Sequence, residues 1–140
     1  MMSERKEGLQ MQTGIKGHTE QIVDERVTAD TVGSGLLPVF ATPAMIALIE
    51  KTAWESIADE LEPGQGTVGT KVDVAHISAT PIGMKVWCDT ELVEVDNRRL
   101  VFSVTVYDEV GKIGEGTHER FIIYNDKFKA KAYEKIGATP

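Results

Sequence analysis

The chain has 140 residues, 41% of them hydrophobic, and carries 22 acidic against 15 basic residues for a formal charge of −7. That suffices for one compact domain with a real core and is short for two. Scattered basic residues under a net negative charge form no phosphate-tracking patch, so nucleic acid is not an expected partner.

In chain order, residues 1–18 are polar and aperiodic and read as an N-terminal arm. MMSERKEG has no apolar leader core, and no apolar run reaches the roughly 18 residues that cross a bilayer, so a cytoplasmic protein without a membrane partner is expected. From Glu20 to Asp30, EQIVDERVTAD mixes β-branched residues with charges and suggests a first strand, with Asp24, Glu25 and Arg26 on a solvated face. The glycines of VGSG then break the chain before LLPVFA leads into the next element.

VFATPAMIALIEKTAWESIADEL, residues 39–61, is the central feature. Thr42 and Pro43 make a helix start, with Thr as N-cap and Pro at the first helical position, and Pro63-Gly64 marks the stop. At about 100° per residue, Ile46, Ala47, Ala53, Trp54, Ile57 and Leu61 lie within about 60° of Glu50, while Lys51, Glu55, Asp59 and Glu62 gather opposite. Glu50 is therefore expected on the inner face. A carboxylate there costs several kcal/mol unless it is paired, so it is either in a structural pair or placed for chemistry.

Four strand-like runs follow, Gly66–Thr80, Met84–Asp96, a run from Leu100 and Ile113–Tyr124, joined by short turns that suggest antiparallel neighbours. In the first, Val68, Thr70, Val72, Val74 and His76 share one parity, which turns His76 inward. Cys88, the single cysteine, excludes an internal disulfide and reads as a buried, inert thiol. Gly114 and Gly116 suggest a bulge or a close approach by a backbone or ligand. His118 has too few partners for a metal site, and no metal or cofactor is expected. Residues 127–140 form a basic tail or short helix. One helix followed by four strands is an α+β layer arrangement, and its open sheet edge favours pairing as a homodimer.

GSGLLPVFATPAMIALIE, GTKVDVAHISATPIGM and IGEGTHERF together resemble the fluoroacetyl-CoA thioesterase-like branch of the hotdog-fold thioesterases, over about residues 20–125. The resemblance implies a hotdog domain over 19–126, a long central helix wrapped by an antiparallel sheet, a homodimer with the site near its interface, and hydrolysis of an acyl-CoA thioester. It maps the catalytic Thr, Glu and His onto Thr42, Glu50 and His76, with Gly69 and Arg120 as substrate-binding positions. Leu36, Leu37 and Phe40 border the implied acyl pocket. The fluoroacetyl-selective member carries aromatic residues in this lid-like stretch, so a different short or medium acyl group is expected here.

From the residues alone, Thr42 reads more simply as an N-cap, His76 as a hydrogen-bonded core histidine, and Arg120 as a partner of Glu115, Glu119 or another carboxylate. Two other functions stay open: a hotdog hydratase or dehydratase on acyl thioesters, and a non-catalytic acyl-CoA or small-ligand binding protein.

Overall fold

The computed structural model describes residues 11–137. In chain order the elements are β1 (Lys16–Ile22), a 3-10 turn at Glu25–Val27, α1 (Ala29–Val32), α2 (Thr42–Ser56), a 3-10 turn at Ala58–Glu60, β2 (Gln65–His76), β3 (Lys85–Asp96), β4 (Arg99–Asp108), β5 (Lys112–Tyr124) and α3 (Asn125–Tyr133), with a final 3-10 turn at Glu134–Ile136. The strands form one antiparallel sheet in the order β1-β3-β4-β5-β2, and the 15-residue α2 packs on one face of it. This is the expected α+β hotdog architecture. No helix among the described residues is long and apolar enough to cross a membrane.

The core lies between α2 and the sheet. Met45, Leu48, Ile49 and Ala53 meet Val86, Cys88, Leu92, Leu100, Phe102, Val106 and Ile113 there, with Phe40 and Ile57 closing the two ends. Cys88 is fully buried, and burial pushes its thiol up to about 12, which keeps it protonated and unreactive.

The first strand is displaced from where the sequence places it. β1 spans Lys16–Ile22, so residues 16–18 of the expected arm pair with Asp89–Glu91 of β3; the arm's residues 1–10 lie outside the described residues. Residues 24–32 coil instead of extending, because polar side chains supply local partners: the Asp24 carboxylate accepts from the Arg26 N–H, and the Thr28 hydroxyl donates to the Glu25 carbonyl and to Asp30.

The link between β2 and β3 is not a hairpin either. β2 pairs with β5 at the far edge, while β3 pairs with β1 and β4. The backbone of the connecting segment is used by the approach to the helix: the Phe40 N–H donates to the Thr80 carbonyl at 2.9 Å, and Val39 bridges to Pro81. β3, β4 and β5 do form the expected consecutive hairpins, with Asn97 taking the left-handed conformation (φ 58°) in the first turn.

The buried stripe of α2 is Met45, Leu48, Ile49, Thr52 and Ala53, and Glu50 is not at its centre. At 100° per residue Glu50 lies about 130° round from the middle of that stripe. The helix carries two apolar arcs, and the sheet of one chain covers only one; Trp54, on the other arc with Glu50, is 45% exposed. The regular helix also ends at Ser56, sooner than Leu61, which is extended.

Candidate active site

Thr42 does not cap its helix. Ala41 is the N-cap residue, without a side-chain hydrogen bond, and Thr42 occupies the first turn with Pro43 beside it. Its hydroxyl is thereby free of the backbone and lies 2.7 Å from Nδ1 of His76, at the end of β2. His76 Nε2 is buried with no hydrogen-bond partner, an unusual state for a polar atom and one expected where a ligand group completes the site. Burial holds the His76 pKa below the ordinary histidine value, and the nearby Ser78 backbone opposes this shift. A neutral ring has two useful tautomers. If Nδ1–H donates to Thr42, Nε2 offers a lone pair; if Thr42 donates to Nδ1, Nε2 carries an N–H that can donate a hydrogen bond.

This pair opens onto a cavity of about 280 Å³ lined by Ala29, Ser34, Val39, Phe40, Thr42, His76 and Ile77 to Ala79. Phe40 is fully buried and sets its ring edge-on to the His76 imidazole, 6.3 Å between centroids. Leu36 and Leu37 are on the same loop but line neither this cavity nor the second one described below; Leu36 is 93% exposed.

Glu50 belongs to a second cluster, two turns further along α2. Its Oε2 is 3.3 Å from Nη1 of Arg120, and its side chain is 41% exposed. Arg120 is buried, and it donates through Nε to the Thr67 hydroxyl at 2.8 Å and through Nη2 to the Thr67 carbonyl at 3.0 Å. The ion partner of Arg120 is thus Glu50, since Glu115 pairs with Lys112 and Glu119 with Arg99. Burial draws the guanidinium pKa down while Glu50 opposes it; the group stays charged.

Gly69 faces this cluster. A Cβ there would overlap Glu50 Oε2 and come within 3.2 Å of both Arg120 Nη1 and His118 Cε1, so the carboxylate rests against bare backbone. Arg120 also lines a cavity of about 360 Å³ with Trp54, Ala58, Leu61, Gln65, Gly66, Thr67 and Asn125.

The geometry depends on a feature of β2. The register against β5 shifts between Gly69 and Lys71, leaving Thr70 as a bulged residue. The parity expected for the strand therefore breaks: Val72, Val74 and His76 share the helix side with Thr67 and Gly69, whereas Val68 pairs with Phe121 away from the cluster. Gly116 is a point of close backbone approach (φ 155°), where a Cβ would collide with the Asp73 carbonyl, and a Cβ on Gly114 would meet Met45 at 2.8 Å.

The structure thus joins Thr42 to His76, and Glu50 to Arg120 and Gly69, but within one chain the two sets stay apart: Thr42 and His76 line the first cavity, and of the second set Arg120 lines the other. His118 and Thr67 also belong to the second set; Thr67 was not expected there, whereas the His118-x-Arg120 spacing, which puts both on one face of β5, leaves His118 the same two readings as Arg120 from the sequence.

The model of a family described as fluoroacetyl-CoA-specific thioesterase matches residues 23–126. A fluoroacetyl-CoA thioesterase of Streptantibioticus cattleyicolor is 45% identical over 100 residues, which are 71% of this chain and 72% of that protein. A solved structure of the fluoroacetyl-CoA thioesterase FlK superposes with a TM-score of 0.85 at 37% identity, covering 94% of this chain and 99% of the other. A variant of FlK in complex with acetyl-CoA gives a TM-score of 0.86 at 36% identity, covering 89% and 98%. With the Thr42–His76 pair set at the start of the central helix as described, the chain belongs to the fluoroacetyl-CoA-specific thioesterase family, a family of hotdog-fold acyl-CoA thioesterases.

Proposed function

We propose that this protein hydrolyses an acyl-CoA thioester to the free acid and coenzyme A, with Glu50 as base or nucleophile, His76 as proton partner and Thr42 as polarising donor. The observation that carries the reading is the 2.7 Å Thr42–His76 contact, which leaves a buried, unpartnered His76 Nε2. In the reaction either water that gives a proton to Glu50 adds to the thioester carbon and yields the acid directly, or Glu50 adds and water then hydrolyses the acyl–glutamate anhydride. The C–S bond breaks, and the proton released by the water reaches the thiolate through His76, whose neutral ring accepts it before giving it up. Thr42 supplies a hydroxyl and the positive end of α2 favours the developing oxyanion.

The two clusters come together in a homodimer. β2 is an edge strand of 12 residues whose middle, Gly69–Asp73, is exposed, and the second apolar arc of α2 lies uncovered beside it. Antiparallel pairing of two such edges near Val72 brings His76 of one copy alongside the Thr67–Gly69 stretch of the other. Sedimentation of the purified protein as a monomer would remove this assembly. Arg120 and Gly69 then bind substrate near the reacting carbonyl, and the loop bearing Leu36 and Leu37, with Phe40 at its base, covers the acyl group. Aliphatic residues at 36 and 37 favour a short or medium acyl chain other than fluoroacetyl.

Free-thiol release from acyl-CoA thioesters of increasing chain length tests the proposal. Turnover with a maximum among short or medium chains is expected. Saturable acyl-CoA binding without thiol release would identify a binding protein instead.

A further inference from the structure

His118 is fully buried between the sheet and α2, and its polar atoms are both engaged. Nδ1 lies 2.8 Å from the Lys71 carbonyl, which only accepts, so Nδ1 carries the proton. Nε2 then has a lone pair and accepts from Nη1 of Arg120 at 3.2 Å. That same Nη1 reaches Glu50 Oε2 at 3.3 Å. A continuous line therefore runs from the Lys71 carbonyl through the imidazole and guanidinium to the carboxylate.

The line grips both sides of the bulge in β2. Arg120 holds Thr67 on one flank of Gly69, and His118 holds Lys71 on the other, while the Thr70 hydroxyl donates to the Glu119 carbonyl between them. Phe102 stacks on the His118 ring at 6.3 Å between centroids, fixing its plane. We propose that His118 is the positioning residue of the Glu50 centre: its neutral Nδ1–H tautomer locks Arg120 and the β2 bulge so that the carboxylate is held against Gly69. The inference rests on Glu50 being the reactive carboxylate.

The surroundings suit that tautomer. Burial pushes the His118 pKa below the ordinary histidine value, and the Arg120 charge adds to this; the Lys71 carbonyl, Glu50 and, from the outer face of β5, Glu119 oppose it. Protonation would remove the acceptor for Arg120 and set two cations against each other.

Two variants separate positioning from mere packing. His118→Phe keeps an aromatic ring and removes both polar atoms; His118→Gln can restore an acceptor toward Arg120. In thiol-release assays, His118→Phe is expected to lower kcat by about 10-fold or more with KM changed less than about 2-fold, and His118→Gln to recover at least roughly a third of the parent kcat. Placed on Glu50→Gln, His118→Phe should cost less than about 2-fold further, because it acts through the group already lost. Nitrogen NMR of the parent should show His118 protonated at Nδ1 and not at Nε2.

Parent-like kcat in His118→Phe, the same loss on either background, or an Nε2–H tautomer in the parent would each overturn the proposal while Glu50→Gln remains inactive. Parent-like turnover by Glu50→Gln would instead overturn the underlying reading of Glu50. If His118→Phe does not fold, the tautomer and the His118→Gln kcat decide.

Discussion

At the scale of single residues, the site is built from groups whose local duties have been taken over by others. Thr42 is free to meet His76 because Ala41 is the N-cap residue and makes no side-chain hydrogen bond, and Pro43 needs no N–H partner in the first turn. Glu50 is held by Arg120 against Gly69, which has no side chain to displace it. Gly69 is in ordinary strand backbone, so a methyl group there strains the carboxylate and not the chain. Gly69→Ala should lower kcat by about 10-fold or more while the melting temperature moves by only a few degrees. Parent-like kcat in that variant would show that contact with Gly69 is immaterial. The chemical residue types were legible in the sequence, but their pairings were not: Thr42 and His76 are 34 positions apart and Glu50 and Arg120 are 70 apart. Only folding decides which of several carboxylates a given arginine meets.

Among the elements, the helix start and the alternating strands followed from local chemistry, and the departures arose where local rules give way to long-range ones. The coil at residues 24–32 contains β-branched residues suited to a strand, yet Asp24 and Thr28 satisfy it locally. One bulged residue, Thr70, reverses the parity on which the inner face of β2 was assigned, with no marker beyond the neighbouring Gly69. The helix face was misread because α2 has two apolar arcs and one chain provides one sheet. The β2–β3 connection holds the cavity wall in place through a buried pair: the Thr80 hydroxyl donates to Asp108 at 2.8 Å, and the Val110 and Gly111 N–H groups donate to the other carboxylate oxygen. Burial works against the charge on Asp108, but these donors outweigh it and hold the carboxyl below the usual carboxylate range. Asp108→Ala orphans the Thr80 hydroxyl and should cost about 1–3 kcal/mol in urea unfolding. A loss below about 0.5 kcal/mol would mean that the pair does not anchor the connection.

For the molecule as a whole, the buried His118 and the half-buried His76 couple the site to stability. His76 and His118 both have folded pKa values below 6.5, so between those values and 6.5 the unfolded chain binds more protons than the folded one. Their contribution is complete above pH 6.5 and is lost as the pH falls toward the folded values. His18 has the opposite sign, raised by Glu20 and Asp89, but it is half exposed and its effect is screened. The urea midpoint should therefore fall between pH 7 and pH 5, and less steeply in His118→Gln. A midpoint that is flat or rises over that interval would contradict the burial of neutral imidazoles. In the proposed homodimer the exposed β2 edge and the uncovered arc of α2 are the surfaces that join the two clusters, so the assembly and the proposed chemistry stand or fall together. Thiol release by Glu50→Gln beside the parent, over one acyl-CoA series and with both proteins shown to be folded, is the most direct test: a loss of about 100-fold or more in kcat is predicted, and turnover close to the parent's would contradict the assignment of Glu50 as the reacting carboxylate.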